Sequence, residues 1–168
     1  MLTPSKPKTA RIPTDWISAS VVVALIALHS QYSAAATPSG GDAVVATKNA
    51  PAAIGPYSQA IRAGDTLYLS GQLPIDPVTG NLPADSSIES QTRRSLDNIK
   101  SILAADGLTM SDIVSTTVYL TDLEDFGKMN EVYASYFSAA YPARVTVEIA
   151  RLPKGASVEI ASVAKRHN

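Results

Sequence analysis

The side chains that could perform chemistry in this sequence are arginines, carboxylates, tyrosines and hydroxyls. The 168 residues include no Cys and two His, namely His29 in an apolar N-terminal run and the penultimate residue His167. Without Cys the chain can have no disulfide, no Cys-ligated zinc, no iron–sulfur cluster and no thiol nucleophile. The positions of the two histidines leave no credible Ser-His-Asp triad and no His-based metal site.

Two strand-like segments near the C-terminus carry charged residues at alternating positions. In the first segment Arg144 shares a face with Thr146, and in the second Glu159 shares a face with Ala161 and Val163. A carboxylate among small apolar neighbours is unusual on a solvated face. We therefore expect this face of the sheet to be buried against another copy of the chain.

The elements that must position these residues are predicted from periodicity and turn residues. Gly64 supplies a hairpin turn, Ser86 and Glu89 form a capping box that opens a helix, and Gly107 ends that helix. The predicted order is β-β-α-β-α-β-β, an α+β arrangement in which two helices cover one face of a mixed sheet. The strands are predicted over 57–63, 66–70, 112–120, 144–149 and 157–164, and the helices begin near 86 and 122.

The N-terminal region differs in composition from the rest of the chain. Residues 1–36 combine a positive start, an apolar run from Trp16 to Leu28 and small residues up to Ala36, the pattern of a cleavable signal peptide. An uncleaved anchor or a buried terminal helix is the alternative, and the run is short for a bilayer span. Residues 37–47 are predicted as a linker and 48–168 as one domain. Export is therefore expected, with a membrane-anchored, organellar or cytoplasmic location as alternatives.

Several motifs in 48–168 together resemble the RidA/YjgF family of enamine/imine deaminases. Each motif is weak alone, but the ordered set at these spacings is specific and covers essentially the whole predicted domain. The motifs are NAPAAIGPYSQ (49–59), LSGQLPI (69–75), SLDNIK (95–100), TTVYLTD (116–122), MNEVY (129–133), YPARVTV (141–147), ARLPKG (150–155) and VEI (158–160).

The resemblance implies a chorismate-mutase-like α+β protomer that assembles as a homotrimer with active sites between subunits. It implies hydrolysis of 2-iminopropanoate and 2-iminobutanoate to 2-oxo acids and ammonia, without a metal or an organic cofactor. Such imines and their enamine tautomers are released by pyridoxal-phosphate enzymes, and for an exported protein amino-acid oxidases are a further source.

The resemblance assigns the two principal roles to Arg144 and Glu159. Arg144 in Pro-Ala-Arg matches the arginine that binds the substrate carboxylate, and Glu159 in Val-Glu-Ile matches the glutamate that activates water. The alternatives are a solvated Arg144 or one paired with Glu148, and a Glu159 that pairs with Arg151 or Lys154 of a neighbouring subunit.

Further positions match residues that line the family's pocket. Tyr57, Ser70 and Gly71 match one group, and Asn130 matches a position near the cleft. Structural roles are the alternatives, namely a core or interface aromatic for Tyr57, a backbone-bonded hydroxyl for Ser70 and helix capping for Asn130.

The chain departs from the family pattern at two positions. Thr146 stands where many members have Cys, which excludes covalent chemistry through a thiol there but leaves a hydroxyl able to bond substrate or water. Ala161 replaces an acid that many members carry two residues after the glutamate, which changes the charge around the site.

Two other classes of function remain open from the sequence. A ligand-binding or chaperone-like trimer without turnover would use the same fold, and export favours it because imine-producing enzymes are mainly cytoplasmic. An RNA-directed activity is less supported, because the net charge is −1 overall and becomes −3 without residues 1–36, and Arg93-Arg94 is the only adjacent basic pair before Lys165-Arg166. No nucleic-acid partner is expected.

Overall fold

A six-stranded mixed sheet forms the framework of the computed structural model, which describes residues 43–138 and 140–167. The strand order is β1-β2-β3-β6-β4-β5, and β4–β5 is the parallel pair while the other neighbours are antiparallel. This confirms the predicted α+β class with two helices and a mixed sheet. The elements are β1 (Ala43–Val45), β2 (Ala60–Ala63), β3 (Thr66–Gln72), α1 (Ile88–Ala105), β4 (Ile113–Leu120), α2 (Phe126–Ala134), β5 (Ala143–Glu148) and β6 (Val158–Lys165).

The predicted hairpin is present but its first strand begins later than expected. Ala63 pairs with Thr66 across the turn, where Gly64 adopts a φ of 59° that favours glycine. The residues before Ala60 form a loop. The buried Gln59 side chain ties this loop to the segment 47–51: its Oε1 accepts from Thr47 N at 2.7 Å, and its Nε2 donates to Pro51 O at 2.7 Å. The Gln59 carbonyl still accepts from Ser70 N of β3 at 3.0 Å, so the pairing with β3 ends close to Ala60.

The N-terminus of α1 is capped by a different serine from the one predicted. Ser87 is the N-cap, and its Oγ accepts from Ser90 N at 3.2 Å. The carbonyl of Ser86 instead accepts from the Gln91 side chain at 2.9 Å, so the Ser86–Glu89 capping box is wrong by one residue. The predicted stop is confirmed, since α1 ends at Ala105 and Gly107 has a φ of 71°.

The second helix is shorter than its hydrophobic pattern suggests. A 3₁₀ turn at Leu123–Asp125 precedes α2, which ends at Ala134. Tyr136 and Phe137 lie beyond the helix and still pack against the core, so the apolar stripe continues past the helical backbone. The apolar pattern therefore extends to Tyr136 and Phe137 because these side chains pack against the core, and not because the helix is longer.

The core lies between the two helices and one face of the sheet. Alternation in β6 places Val158, Ile160 and Ala164 in this core. The opposite face carries exposed apolar side chains, which the strand register brings together across the sheet. They are Val44, Ile61, Tyr68, Val145 and Val147, and we call this surface the open face.

The sheet begins earlier than the predicted domain start at Lys48. Within the stretch predicted as a linker, Ala43–Val45 form β1 and pair with β2, because consecutive valines favour a strand and Val45 is buried in the core. The predicted signal peptide (1–36) and linker residues 37–42 lie outside the described residues, so the signal peptide stays a prediction. Within 43–138 and 140–167, neither helix has the length and apolar character to span a membrane.

Candidate functional site

Arg144 lies on β5, on the face of the sheet that the helices cover. In the parallel β4–β5 pair it stands beside Thr116, which is buried against α2. Its Cζ lies 4.6 Å from the ring centroid of Tyr133 and 5.7 Å from that of Phe126. Among residues 43–138 and 140–167, no carboxylate forms an ion pair with this guanidinium.

The alternative pairing of Arg144 with Glu148 is not present. Oε2 of Glu148 instead accepts a hydrogen bond from the backbone N–H of Leu123 at 3.0 Å. Glu148 therefore anchors the turn that leads into α2, and the N–H donors of Arg144 remain available to a ligand.

A cleft of about 410 Å³ opens beside Arg144. Asn130, which was expected near the site, does line this cleft, and Thr146 lies two residues beyond Arg144 on the same face of β5. Thr146 Oγ1 is buried, and no residue in the described part of the chain bonds to it. The lining residues are Asn130, Tyr133, Ala134, Tyr141, Pro142 and Arg144.

Glu159 lies on β6 and points to the open face. It pairs with Tyr119 of β4, and its neighbours on this face are apolar or hydroxyl-bearing side chains such as Ala161 and Thr117. The side chain is half-buried, and burial raises the pKa of Glu159. Within 43–138 and 140–167 it takes part in no ion pair. The alternative of a salt bridge to Arg151 or Lys154 of a neighbouring subunit stays a prediction.

Gly71 gives the Glu159 carboxylate the room that it occupies. A Cβ at position 71 would lie 2.8 Å from Cδ of Glu159, which is inside van der Waals contact. The β3–β6 register shifts between Leu69 and Gln72, so Gly71 sits in an irregular part of the pairing. Only a residue without a side chain fits here without displacing Glu159.

Tyr57 and Ser70 lie near this group but are partly engaged by the backbone. Ser70 Oγ donates to Ser58 O at 2.6 Å, which is the structural role considered for it from sequence. Tyr57 OH accepts from Ile54 N at 3.3 Å, and the ring, about half exposed, lines a small cavity together with Gly71. Each of these side-chain oxygens keeps hydrogen-bonding capacity for a ligand.

The predicted site residues therefore form two groups on opposite faces of the sheet. We call Arg144, Asn130 and Thr146 the arginine half-site, and Glu159, Gly71, Tyr57 and Ser70 the glutamate half-site. β6 and β5 are separated by β4, so about 10 Å of sheet lies between them in addition to the change of face. One small ligand cannot touch both groups of a single chain.

A further cleft coincides with neither half-site. It measures about 570 Å³ and is lined mainly by small apolar residues of the segment 44–53, with Tyr57 at its edge. It contains no free carboxylate or guanidinium, so the chemistry of the side chains, rather than cavity size, identifies the candidate site.

Comparisons with known proteins identify the family of this chain. Residues 47–166 match the family model described as Endoribonuclease L-PSP. The chain is 54% identical over 121 residues to a RutC family protein of Pyrococcus horikoshii, covering 72% of this chain and 95% of that protein. It is 50% identical over 125 residues to the Escherichia coli protein named 2-iminobutanoate/2-iminopropanoate deaminase, covering 73% of this chain and 96% of that protein. The chain belongs to the RidA/YjgF family.

Solved structures of RidA/YjgF relatives have the same fold. The structure of the E. coli YjgF product is 48% identical and gives a TM-score of 0.71, covering 74% of this chain and 99% of the other. The structure of E. coli TdcF with bound serine is 45% identical with a TM-score of 0.71 and the same coverage. The predicted family membership and protomer fold are confirmed.

Three residues at the arginine half-site of this RidA/YjgF chain were not predicted from sequence. Phe126 and Tyr133 were assigned to the core stripe of the second helix, and Thr116 to a strand, yet both aromatic rings hold Arg144 and Thr116 bonds Tyr133. Helical spacing places these rings on the buried side but carries no signal that an arginine of a later strand stacks on them.

Two buried amides position the glutamate half-site in the sheet. Gln91 of α1 accepts from Ser157 N at 2.8 Å and so fixes the start of β6, two residues before Glu159. Asn98 donates to Leu73 O at 3.1 Å and Ile75 O at 3.0 Å and so fixes the chain that follows Gly71. In 43–138 and 140–167 no cluster of three or more His, Asp or Glu side chains is placed to hold a metal ion.

Proposed function

We propose that this protein hydrolyses small 2-imino acids, such as 2-iminopropanoate and 2-iminobutanoate, to 2-oxo acids and ammonia. The E. coli relative that is 50% identical carries the name of this activity. The observation that carries the proposal is the free guanidinium of Arg144, whose ring contacts leave its N–H donors unpaired by any carboxylate of the described chain. Planar two-point recognition of a carboxylate is what arginine provides and lysine does not.

Glu159 supplies the proton transfers in this proposal. Its carboxylate takes a proton from water as the oxygen attacks C2 of the protonated imine, and a neutral tetrahedral carbinolamine forms. The protonated Glu159 then gives its proton to the nitrogen. As the C–N bond breaks, the Glu159 carboxylate takes the proton of the new hydroxyl, so the carbonyl forms and ammonia leaves. The raised pKa of Glu159 brings its two protonation states closer in energy near neutral pH, which suits both steps.

We further propose that the active site forms between copies of the chain in a homotrimer. The two half-sites of one chain lie on opposite faces, so a second copy must bring its glutamate half-site to the arginine half-site of the first. The apolar open face, which includes Glu159, supports this assembly because exposed apolar patches of this kind mark interfaces. Glu159 then becomes more buried than in one chain.

The alternatives have less support from the side chains. A trimer that binds ligands without turnover would keep Arg144 but has no need of a free, half-buried carboxylate at Glu159. For an RNA-directed activity, one member of the basic pair is engaged, since Arg94 lies 3.2 Å from Asp76. The imine is expected to come from a pyridoxal-phosphate enzyme or an amino-acid oxidase.

The test couples the purified full chain to threonine dehydratase or an amino-acid oxidase in the presence of semicarbazide, which traps the imine. We expect the protein to lower the semicarbazone signal. Arg144→Ala should reduce the rate by about 10-fold or more, because an Arg–carboxylate contact is worth about 1.5–3 kcal/mol. Glu159→Gln should abolish most of the effect. A folded trimer with no effect across several amino acids would contradict the proposal and favour a binding role.

A further inference from the structure

Arg144 is held in place by aromatic rings instead of by a carboxylate. Its Cζ lies over the Tyr133 ring at 4.6 Å and over the Phe126 ring at 5.7 Å, both within the range of a cation–π contact. A guanidinium that stacks on a ring uses its flat face, so the N–H donors at its edge stay free. A carboxylate anchor would occupy those same donors.

Tyr133 is itself fixed by a buried hydrogen bond. Its hydroxyl and Thr116 Oγ1 lie 2.8 Å apart, and Tyr133 is only 3% exposed. Burial raises the pKa of Tyr133, so the phenol stays protonated and neutral beneath the arginine. Thr116 also stands directly beside Arg144 in the β4–β5 register. One threonine therefore fixes the ring on which the arginine beside it rests.

We propose that Thr116 and Tyr133 are positioning residues that hold Arg144 with its edge free for a substrate carboxylate. This inference rests on the proposed function, since it assumes that Arg144 binds the carboxylate. The ring sets the plane of the guanidinium, and the Thr116–Tyr133 bond sets the position of the ring. Neither residue takes part in the proton transfers assigned to Glu159.

A second tyrosine provides a matched control for the loss of a tyrosine hydroxyl. Tyr136 packs against the same core, and its hydroxyl donates to Asp97 Oδ1 at 2.8 Å and lies 3.2 Å from Arg93 O. It lies on the α1 side, in a cleft that does not include Arg144. Tyr136→Phe therefore removes a hydrogen-bonded hydroxyl of the same kind without changing the support of Arg144.

The experiment measures the affinity of the full chain for 2-oxobutanoate by calorimetry, alongside imine hydrolysis and the melting temperature. Tyr133→Leu should weaken 2-oxobutanoate binding by about 2- to 30-fold, the worth of a cation–π contact. Tyr133→Phe and Thr116→Val should each weaken it by less. The double variant Thr116→Val/Tyr133→Phe should bind 2-oxobutanoate no more weakly than the weaker of these two single variants, because both changes break the same hydrogen bond. Thr116→Ser keeps the hydroxyl and should bind 2-oxobutanoate with wild-type affinity. Tyr136→Phe should also bind it with wild-type affinity.

Each outcome bears on the positioning role. Wild-type affinity in Tyr133→Leu would overturn it, as would a loss that Tyr136→Phe shares or that Thr116→Ser fails to restore. Failure of the wild type to bind 2-oxobutanoate would also overturn it. If the wild type binds 2-oxobutanoate with the expected variant pattern but does not hydrolyse imines, the positioning role stands and the proposed function fails. If imines are hydrolysed and the variant pattern is absent, the proposed function stands and the positioning role fails.

Discussion

Glu159 has a raised pKa because β6 places its side chain, half-buried, among apolar and hydroxyl-bearing neighbours. Burial disfavours the charged form of Glu159 and raises its pKa. Its neighbours along β6, Val158 and Ile160, point to the opposite face and lie in the core. The same placement that would make it a useful base near neutral pH also makes the ionised carboxylate costly to hold. Activity and stability should therefore respond to pH in opposite directions at this residue.

We expect Glu159→Gln to stabilise the folded protein at neutral pH. A carboxyl whose pKa is higher in the folded than in the unfolded chain contributes its full stability below the unfolded pKa and loses it as pH rises through the folded pKa. Gln resembles the neutral acid at every pH. Thermal unfolding of both proteins across the acid-to-neutral range should show the wild type losing stability relative to the variant as pH rises. A difference that is constant with pH would contradict the assignment.

Gly71 should control activity through the position of Glu159. Gly71→Ala places a methyl group inside van der Waals contact with the Glu159 carboxylate, so that carboxylate must move. We expect a loss of imine hydrolysis of at least about 10-fold, because small displacements of a catalytic group are costly. Gly127→Ala is the matched control, since its added Cβ has no atom within 4 Å. Equal activity of the two variants would remove Gly71 from the account.

At the scale of elements, one buried carboxylate joins three parts of the fold. The Asp106 side chain, at the end of α1, is 2% exposed and pairs with Arg62 of β2 and with Arg166, which follows β6. Arg166 Nη2 also donates to Asp106 O at 2.7 Å. The end of the helix and two strands are thus tied at one point, far from either half-site along the strands.

Asp106→Ala should therefore lower stability without changing the chemistry. Removal of the shared acceptor leaves two half-exposed arginines unpaired, and we expect a loss of about 2–3 kcal/mol in the free energy of unfolding. Denaturant unfolding measures it, with Arg94→Ala as the control because both partners of the Arg94–Asp76 pair are partly exposed, unlike the buried Asp106, and the pair should matter little. A smaller loss for Asp106→Ala than for Arg94→Ala would contradict this role.

Much of this element pattern could be predicted from sequence because it depends on local signals. Glycines marked the turn at Gly64 and the helix end at Gly107, and alternation assigned Arg144 and Glu159 to faces within their strands. Alternation cannot say which face the helices cover, because that depends on how the chain crosses over the sheet. For the same reason the stacking of Arg144 on Tyr133 could not be predicted, since it joins two elements whose contact depends on the parallel β4–β5 register.

At the scale of the whole molecule, the chain carries two incomplete half-sites and an uncovered apolar face. The helices bury one side of the sheet, while Val44, Ile61, Tyr68, Val145 and Val147 remain exposed on the other. A second copy placed on the open face would cover these side chains and bring a new partner to Glu159. Assembly and the completion of the active site are then one event, and a monomeric variant should be inactive.

The most direct test of this account is complementation between two inactive variants. Arg144→Ala and Glu159→Gln are co-expressed with different tags, and trimers that contain both are purified through both tags. In a ring of three chains with both variants present, one interface pairs an intact Arg144 with an intact Glu159, so we predict about one-third of wild-type imine hydrolysis. Activity no higher than that of either variant alone would contradict a site shared between copies.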